Sequence, residues 1–556
     1  MRATTANTYA VSGVWTDMKI PARISGSIPL VLAILLLWSM WPVQTPAQSA
    51  GPADQTTISD LVLANRMLAS PDMGILNVYG HVSYRSRTNP DHFFIARNMA
   101  PGLVTAADIY ESDLGGEPVA GSPSGLYVER FIDAEIYRAR PDVMAIVTAE
   151  TPEFVAFSVS SVPMHGDDPP LIVDIRTFDD GQSGLVSTPA LGRSLAQSLG
   201  QRNTLLLPGR GAVIASSTID GVVNSANGLR ENMRTQLMAS SLGGTIAYLD
   251  FTPRRAAAGP QEGAQAPRGA GAGTRSNANA AAAAPGGRPW NYWKFLANAE
   301  LARESRQLET SAPVSPPDEN PDRALIADVV LASRILSTTE VGIIPGAYGH
   351  VSARSRTNPN HYYISTDKSP GSITPADMIE NDLNSQAAVP TDKTQFSEIF
   401  IHGEIYMARP DVMAIVHAHT PELVSFGISS VPLRPVLLGA NFIGDGLPIY
   451  DIREYTGGYS SPVGCAHCIS TPELGRALAG VLGNRGASLL FDHGIAVVET
   501  SLPALVSRAY DMRMNALIQQ MALSLGGNVR YLGSPPAANP PNPAAWEYWT
   551  RLAFNR

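Results

Sequence analysis

"ARPDVMAIVHAHTPE" occupies residues 408–422, and the chain contains almost the same segment, "ARPDVMAIVTAETPE", at residues 139–153. The two segments differ at two positions, where Thr148 and Glu150 of the first become His417 and His419 of the second. The shared "VMAIV" is a short apolar run of the kind that forms a buried strand. The pair therefore indicates an internal duplication in which the scaffold is kept and two side chains are changed.

The duplication extends well beyond this segment. "YGHVSYRSRTNP" from residue 79 returns as "YGHVSARSRTNP" from residue 348, and "STPALG" from residue 187 returns as "STPELG" from residue 470. Each copy alternates amphipathic helical segments with short apolar runs that end at turn signals. This alternation predicts an α/β fold in each copy, with helices packed on a central sheet.

Length and composition place the boundary between the copies. The chain has 556 residues, more than one hydrophobic core usually serves. Residues 252–288 consist mainly of Ala, Gly and Pro and contain almost no large apolar side chain, so they cannot build a core. We predict two domains, 57–309 (including the low-complexity linker 252–288) and 322–556.

The N-terminus has the order of a secretory signal. An apolar run at residues 28–43 follows Lys19 and Arg23 and precedes small residues that suit cleavage after Ala47 or Ala50. We predict a signal peptide over residues 1–50 and a periplasmic or secreted protein with no membrane span after cleavage. The alternative is an uncleaved anchor, although the run is shorter than the roughly 20 residues that a span needs.

Charge and cysteine content narrow the possible partners. A net charge of −9 without a basic cluster argues against nucleic-acid binding. The two cysteines, Cys465 and Cys468, belong to "CAHC", within about 14 residues that only the second copy has. Their spacing is compatible with a disulfide, with part of a metal site or with a redox pair.

A candidate metal site is concentrated in the second copy. His417 and His419 are two residues apart on a predicted strand, so their side chains point to the same face and can reach one ion. His493 follows another apolar run, and Glu398 and His402 lie on the approach to the first strand. Three histidines with a nearby carboxylate at strand ends are typical of an open catalytic site for zinc or another divalent ion.

The first copy lacks this constellation. His417, His419 and His493 correspond there to Thr148, Glu150 and Arg210, and His402 corresponds to Asp133. Histidines that only pack in the core would have little reason to be absent together from so similar a scaffold. We therefore predict one metal site, in the second copy. The alternative is a set of hydrogen-bonded histidines that hold no metal.

These residues resemble the class II aldolase/adducin family. The resemblance rests on "GHVSARS", "SEIFIHGEIYMARPDVMAIVHAHT", "STPELGRAL" and "DHGIAVV", and it covers nearly all of 322–556 and, in degenerate form, 57–309. It implies two tandem three-layer αβα sandwich domains and a homo-oligomeric ring with active sites at subunit contacts. It also implies a zinc-like ion held by His417, His419 and His493, with Glu398 as the acid/base.

Departures from the family pattern bear on the substrate. The sugar-phosphate aldolases have Asn where this chain has His350, and "ISTDKSPGSIT" replaces their short phosphate loop. The His after Gly and the segments "ERFIDAEIY" and "SEIFIHGEIY" more closely resemble the branch that decarboxylates hydroxylated aromatic acids or hydroxy-carboxy-muconic semialdehydes. We expect a divalent-metal-dependent carbon–carbon lyase, of aldolase or decarboxylase type, that acts on a small hydroxy-carboxylic acid or hydroxy-carbonyl compound through a stabilised enolate.

Roles for individual residues follow from that chemistry. Glu398 would move the proton, for which we expect a pKa raised by its site. His350, Lys368 and His402 are predicted to contact the substrate. Two alternatives are a non-catalytic adducin-like assembly protein and a periplasmic protein that binds a metal or a small acid, and turnover would separate these from an enzyme.

Overall fold

The computed structural model describes large parts of both predicted domains. The predicted signal peptide (1–50) and the predicted linker (252–288) lie outside the described residues. Those residues are 52–71, 73–121, 125–165, 169–178, 184–241, 321–345, 348–457, 467–533 and 543–554. Among them, no helix has the length and apolar character needed to cross a membrane.

The first domain is built on a seven-stranded sheet. Its strands are β1 (His81–Arg85), β2 (His92–Ala96), β3 (Ile109–Asp113), β4 (Ala145–Ala149), β5 (Leu171–Ile172), β6 (Thr204–Leu207) and β7 (Gly211–Ser216). Their order across the sheet is β3-β2-β1-β4-β7-β6-β5. All neighbours are antiparallel except β5 and β6, which are parallel.

Helices cover both faces of this sheet. They are α1 (Pro52–Ala69), α2 (Arg130–Ala139), α3 (Pro152–Val159), α4 (Pro189–Leu199) and α5 (Ile219–Ser241). Successive residues of β4 enter different cores: Val147 packs in a cluster with α1 and α5, whereas Ile146 packs in a cluster with α2 and α4. Because side chains alternate faces along a strand, these clusters lie on opposite sides of the sheet. The domain is therefore a three-layer αβα sandwich, as predicted.

The second domain repeats this architecture with the strand order β10-β9-β8-β11-β14-β13-β12. Its strands are β8 (Gly349–Arg354), β9 (His361–Ser365), β10 (Met378–Asp382), β11 (Ala414–Ala418), β12 (Ile449–Tyr450), β13 (Ala487–Leu490) and β14 (Gly494–Glu499). Its helices are α6 (Pro321–Leu336), α7 (Phe400–Ala408), α8 (Pro421–Ile428), α9 (Arg453–Thr456), α10 (Pro472–Leu482), α11 (Leu502–Ser524) and α12 (Pro543–Phe554). The α/β fold class is confirmed for both copies.

The duplicated segment supplies the middle strand of each sheet. In the second domain, β11 lies between β8 and β14, and His417 is paired with His350 on one side and Ala496 on the other. In the first domain, Thr148 of β4 is paired with His81 in the same way. Thr148 and His417, which differ between the copies, therefore occupy equivalent positions in the two sheets.

The two domains share buried apolar surface. Val155 and Val159 of α3 belong to the same buried cluster as the core of the second domain. The backbone N–H of Arg530 donates to the carbonyl oxygen of Val159 at 2.6 Å. The hydroxyl of Tyr79 donates to Oδ1 of Asp511, in α11, at 3.4 Å. Asp511 of helix α11 in the second domain thus lies beside Tyr79 of the first domain.

Candidate metal centre

Two antiparallel strands bring three histidines together at one end of the second-domain sheet. His417 lies in β11, His419 follows the end of that strand, and His493 directly precedes β14. The strands approach closely because Gly494, the first residue of β14, has no side chain. A Cβ there would overlap the carbonyl oxygen of Ala418 and lie 3.0 Å from Cδ2 of His419. The order His-Gly is therefore part of what builds the site.

Glu398 reaches the histidines from the segment before α7. The backbone N–H of Ile469 donates to its Oε1 at 3.0 Å, and Nε2 of His417 and Nε2 of His493 lie 3.3 Å and 3.5 Å from its carboxylate oxygens. Burial alone would raise the pKa of Glu398, but His417 and His493 hold that pKa well below its ordinary value. This direction is opposite to the raised pKa predicted for Glu398, which stays a prediction for the metal-bound site.

The donor atoms of these four residues suit a divalent cation. One atom from each of Glu398, His417, His419 and His493 lies within 4.8 Å of all the others. Nδ1 of His417 is 2.9 Å from the carbonyl oxygen of Ile495, which assigns a ring hydrogen to Nδ1 and leaves Nε2 facing the other donor atoms. That Nε2 lies 3.0 Å from Nε2 of His419. Burial, with His417 and His493, lowers the pKa of His419 to about 3, so the imidazole of His419 is neutral.

Imidazole nitrogens that converge beside a carboxylate form the donor set that zinc and similar ions bind. The residues present therefore fit the predicted cofactor, and its identity stays a prediction.

The three residues predicted to contact the substrate lie at different depths. The ring of His350 is buried, with its centroid 5.1 Å from that of His417. His402 is fully buried, and its Nε2 lies 2.6 Å from Nδ1 of His350. The ammonium of Lys368 pairs with Asp377 at 2.5 Å on an exposed part of the surface. The geometry therefore places only His350 directly beside the histidine cluster, and the substrate contacts stay predictions.

The first domain holds a side-chain cation at the equivalent place. Arg210 directly precedes β7, as His493 directly precedes β14. Its guanidinium contacts Glu129 and lies 3.4 Å from Glu150. Glu129 also accepts the backbone N–H of Val186 at 3.3 Å, which matches the bond between Ile469 and Glu398. Across the described ranges, the donor set for a metal is found in the second domain only.

Sequence reasoning missed one residue near the centre. His467, from the "CAHC" segment, has its ring centroid 6.3 Å from that of His493. Its position in an insertion that only the second copy has could have indicated a role at the site. The sequence interpretation of this insertion considered only its two cysteines. Cys468 is buried and disulfide-bonded, which favours the disulfide alternative. Cys465 lies outside the described residues.

Comparisons with known proteins agree with this architecture. The chain matches the model for the class II aldolase and adducin N-terminal domain at residues 59–237 and 327–520. The decarboxylase tropJ of Talaromyces stipitatus is 31% identical over 189 residues, which cover 32% of this chain and 70% of that protein. The 3,4-dihydroxyphthalate decarboxylase of Rhodococcus jostii is 26% identical, over 36% of this chain and 83% of that protein.

Aldolases are also similar to parts of the chain. An L-fuculose phosphate aldolase of Escherichia coli is 26% identical, over 37% of this chain and 91% of its own. The solved L-fuculose 1-phosphate aldolase of Glaciozyma antarctica aligns with 44% of this chain and 94% of its own, at 18% identity and a TM-score of 0.35. The two regions that match the family model span more than half of the chain and contain one copy each of the duplicated segment. The protein therefore belongs to the class II aldolase and adducin family.

Proposed function

We propose that the protein is a divalent-metal-dependent carbon–carbon lyase with one active centre per chain, in the second domain. The observation that carries the proposal is the convergence of Glu398, His417, His419 and His493 within 4.8 Å. Similarity to decarboxylases and to aldolases, both of which break carbon–carbon bonds, supports the reaction type.

The residues suit the chemistry of such a bond cleavage. A cation held by His417, His419 and His493 through neutral nitrogens would keep its charge and polarise a substrate oxygen as negative charge develops. Glu398 is held in its charged form, so it is placed to accept a proton from a substrate hydroxyl. It would return that proton to the carbon atom that keeps the electron pair of the broken bond.

Hydroxylated aromatic carboxylic acids are the first substrate class to test. His350 stands where the sugar-phosphate aldolases of the family have Asn, and two of the relatives described above are decarboxylases, one of them named for 3,4-dihydroxyphthalate. Aldols are the second class, supported by similarity to L-fuculose phosphate aldolase.

Metal analysis with a substrate screen tests the proposal. The purified chain should contain about one divalent ion, and the screen should compare release of CO₂ from 3,4-dihydroxyphthalate and other hydroxybenzoates with aldehyde release from L-fuculose 1-phosphate. Two equivalent ions or none would contradict the single centre. A loaded protein that turns over neither class would favour adducin-like assembly or ligand binding instead.

The two matched glutamates provide a test of the centre itself. We expect Glu398→Gln to keep the metal but to lose about 10²–10⁴ in rate, because the proton-transfer group is gone. Glu129→Gln, which changes the equivalent residue opposite Arg210, should have a much milder effect. Equal losses from the two variants would show that the first domain is also an active centre.

We further propose export to the periplasm or medium and assembly into a homo-oligomer. Export rests on the signal-like order of residues 1–50. Assembly is supported by a difference between equivalent tyrosines: Tyr79 contacts Asp511 of the second domain, whereas Tyr348 is 74% exposed. A second chain would cover Tyr348. Fractionation of cells and light scattering of the purified protein test the two points.

A further inference from the structure

Four buried polar side chains form a hydrogen-bonded row that ends beside the histidine cluster. Nδ1 of His350 lies 2.6 Å from Nε2 of His402, and Nδ1 of His402 lies 2.6 Å from Oγ of Ser352. Oγ of Ser352 lies 2.9 Å from the hydroxyl of Tyr406. All four side chains are at most 3% exposed, so within the row each must satisfy its neighbours without help from bulk water.

The row has one favourable direction. In the part of the chain that the structure describes, Ser352 is the one hydrogen-bond partner of the Tyr406 hydroxyl. Tyr406 must therefore donate to Ser352, because a buried hydroxyl hydrogen without an acceptor costs about 1–3 kcal/mol. Ser352 has a single hydrogen, which it then donates to Nδ1 of His402.

The same reasoning fixes both imidazoles. An imidazole carries at least one N–H, and a ring nitrogen that accepts a hydrogen bond carries none. His402 accepts from Ser352 at Nδ1, so its hydrogen is on Nε2 and is donated to Nδ1 of His350. The hydrogen of His350 is then on Nε2, the nitrogen that points away from His402.

We propose that His402 is a positioning residue which, with Ser352 and Tyr406 behind it, holds His350 as an N–H donor. In this state Nε2 of His350 has no lone pair for a metal ion or a proton. It is instead suited to donate a hydrogen bond to a substrate oxygen. Only the identity of that oxygen depends on the proposed lyase function, whereas the tautomer of His350 does not.

The first domain contains the reverse arrangement, which supports the assignment. Asp133 takes the place of His402, with its Oδ2 2.8 Å from Nε2 of His81 and its Oδ1 2.6 Å from Oγ of Ser83. A carboxylate can only accept, so His81 must donate toward the interior. The exchange of one side chain thus reverses the direction of the hydrogen bond between the inner residue and the histidine of the first strand.

Two variants of the full-length protein distinguish the effect of the hydrogen-bond direction from the effect of side-chain packing at residue 402. In His402→Asn the amide nitrogen can donate to His350 while the amide oxygen accepts from Ser352, so the direction is kept. His402→Asp offers acceptors only, and Asp133 shows that an aspartate at this place reaches both neighbours. We expect ¹⁵N spectra of histidine-labelled, zinc-loaded wild-type protein to show the His350 hydrogen on Nε2. In His402→Asp the N–H of His350 should turn inward to the aspartate, as that of His81 does toward Asp133, and in His402→Asn it should stay outward, which the spectra show when read with the ring orientation in crystal structures of the variants.

The His350 signals are assigned by their loss in His350→Gln. A wild-type His350 with its hydrogen on Nδ1, or an Asp variant whose His350 N–H still points outward, would overturn the proposal. At equal zinc content, His402→Asp should lose about 10²-fold in turnover of 3,4-dihydroxyphthalate, the scale of one lost oxyanion donor, and His402→Asn should keep most of it. Equal turnover by the two variants would overturn the donor role. If no variant and no wild type turns over this acid, the lyase proposal fails on that substrate while the spectra still decide the tautomer.

Discussion

Arg210 shows how one residue changes what the duplicated site can do. Its guanidinium faces Glu129 and Glu150 at the end of β7, where His493 faces Glu398 in the other domain. Burial lowers the pKa of Arg210 to about 10, which leaves it charged at neutral pH. The first domain therefore carries a fixed cation in its own chain, and a divalent ion would have to displace it.

Removing that cation should destabilise the first domain. Arg210→Ala leaves Glu129 charged and mostly buried without its partner. Breaking such a pair lowers the free energy of unfolding by about 3 kcal/mol. We expect a lower urea midpoint at pH 7, a smaller loss at acidic pH where Glu129 can be protonated, and unchanged metal content. The double variant Arg210→Ala, Glu129→Gln should recover much of the loss. An unchanged midpoint in the single variant would show that the pair contributes nothing to stability.

At the scale of elements, the site depends on how closely β14 approaches β11. Gly494→Ala would place a methyl group against the carbonyl oxygen of Ala418 and against the ring of His419. We expect the strands to separate slightly, at a cost of about 1–3 kcal/mol, and zinc affinity to fall by roughly 10–100-fold as the ligands shift. Zinc titration measures this. Gly480→Ala in α10 is the matched control, since a Cβ there meets no atom within 4 Å, and equal zinc affinity in the two variants would contradict the role of Gly494.

These elements also show where prediction from the sequence succeeded. The repeated "VMAIV" and the run before His493 predicted buried strands, because both are short apolar runs that end at turn signals. The alternation of faces along a strand then predicted that His417 and His419 act together. How deeply each site residue is buried was not predictable in the same way. His402 lies on α7, outside the sheet, and nothing in its spacing to His350 shows that it packs behind that ring.

At the scale of the whole molecule, the contact between the domains contains a titrating group. Burial raises the pKa of Asp511 from 3.8 to about 7, with Tyr79 donating to it and Glu150 and Arg508 nearby. The folded protein therefore binds a proton that the unfolded chain releases above about pH 4. This contribution to stability is complete below that pH and is lost as pH rises through about 7.

The free energy of unfolding should reflect that loss. Deprotonation of Asp511 should lower the free energy of unfolding by up to about 4 kcal/mol between pH 4 and pH 7. Asp511→Asn does not titrate, so its stability relative to the wild type should rise over this range. Urea unfolding of both proteins at several pH values measures the difference, and parallel pH profiles would contradict the assignment.

The shared core gives the metal-free domain a structural role. Val78, Val155 and Val159 of the first domain pack in the same cluster as the second-domain core, at roughly 1.5–3 kcal/mol for each fully buried valine. A fragment of residues 322–556 would expose the partners of these side chains. We expect it to self-associate and to lose most of its turnover, whereas full-length protein cut by protease within 252–288 should remain associated and active. Light scattering and activity measurements compare the two, and a monodisperse, fully active fragment would show that the first domain is dispensable.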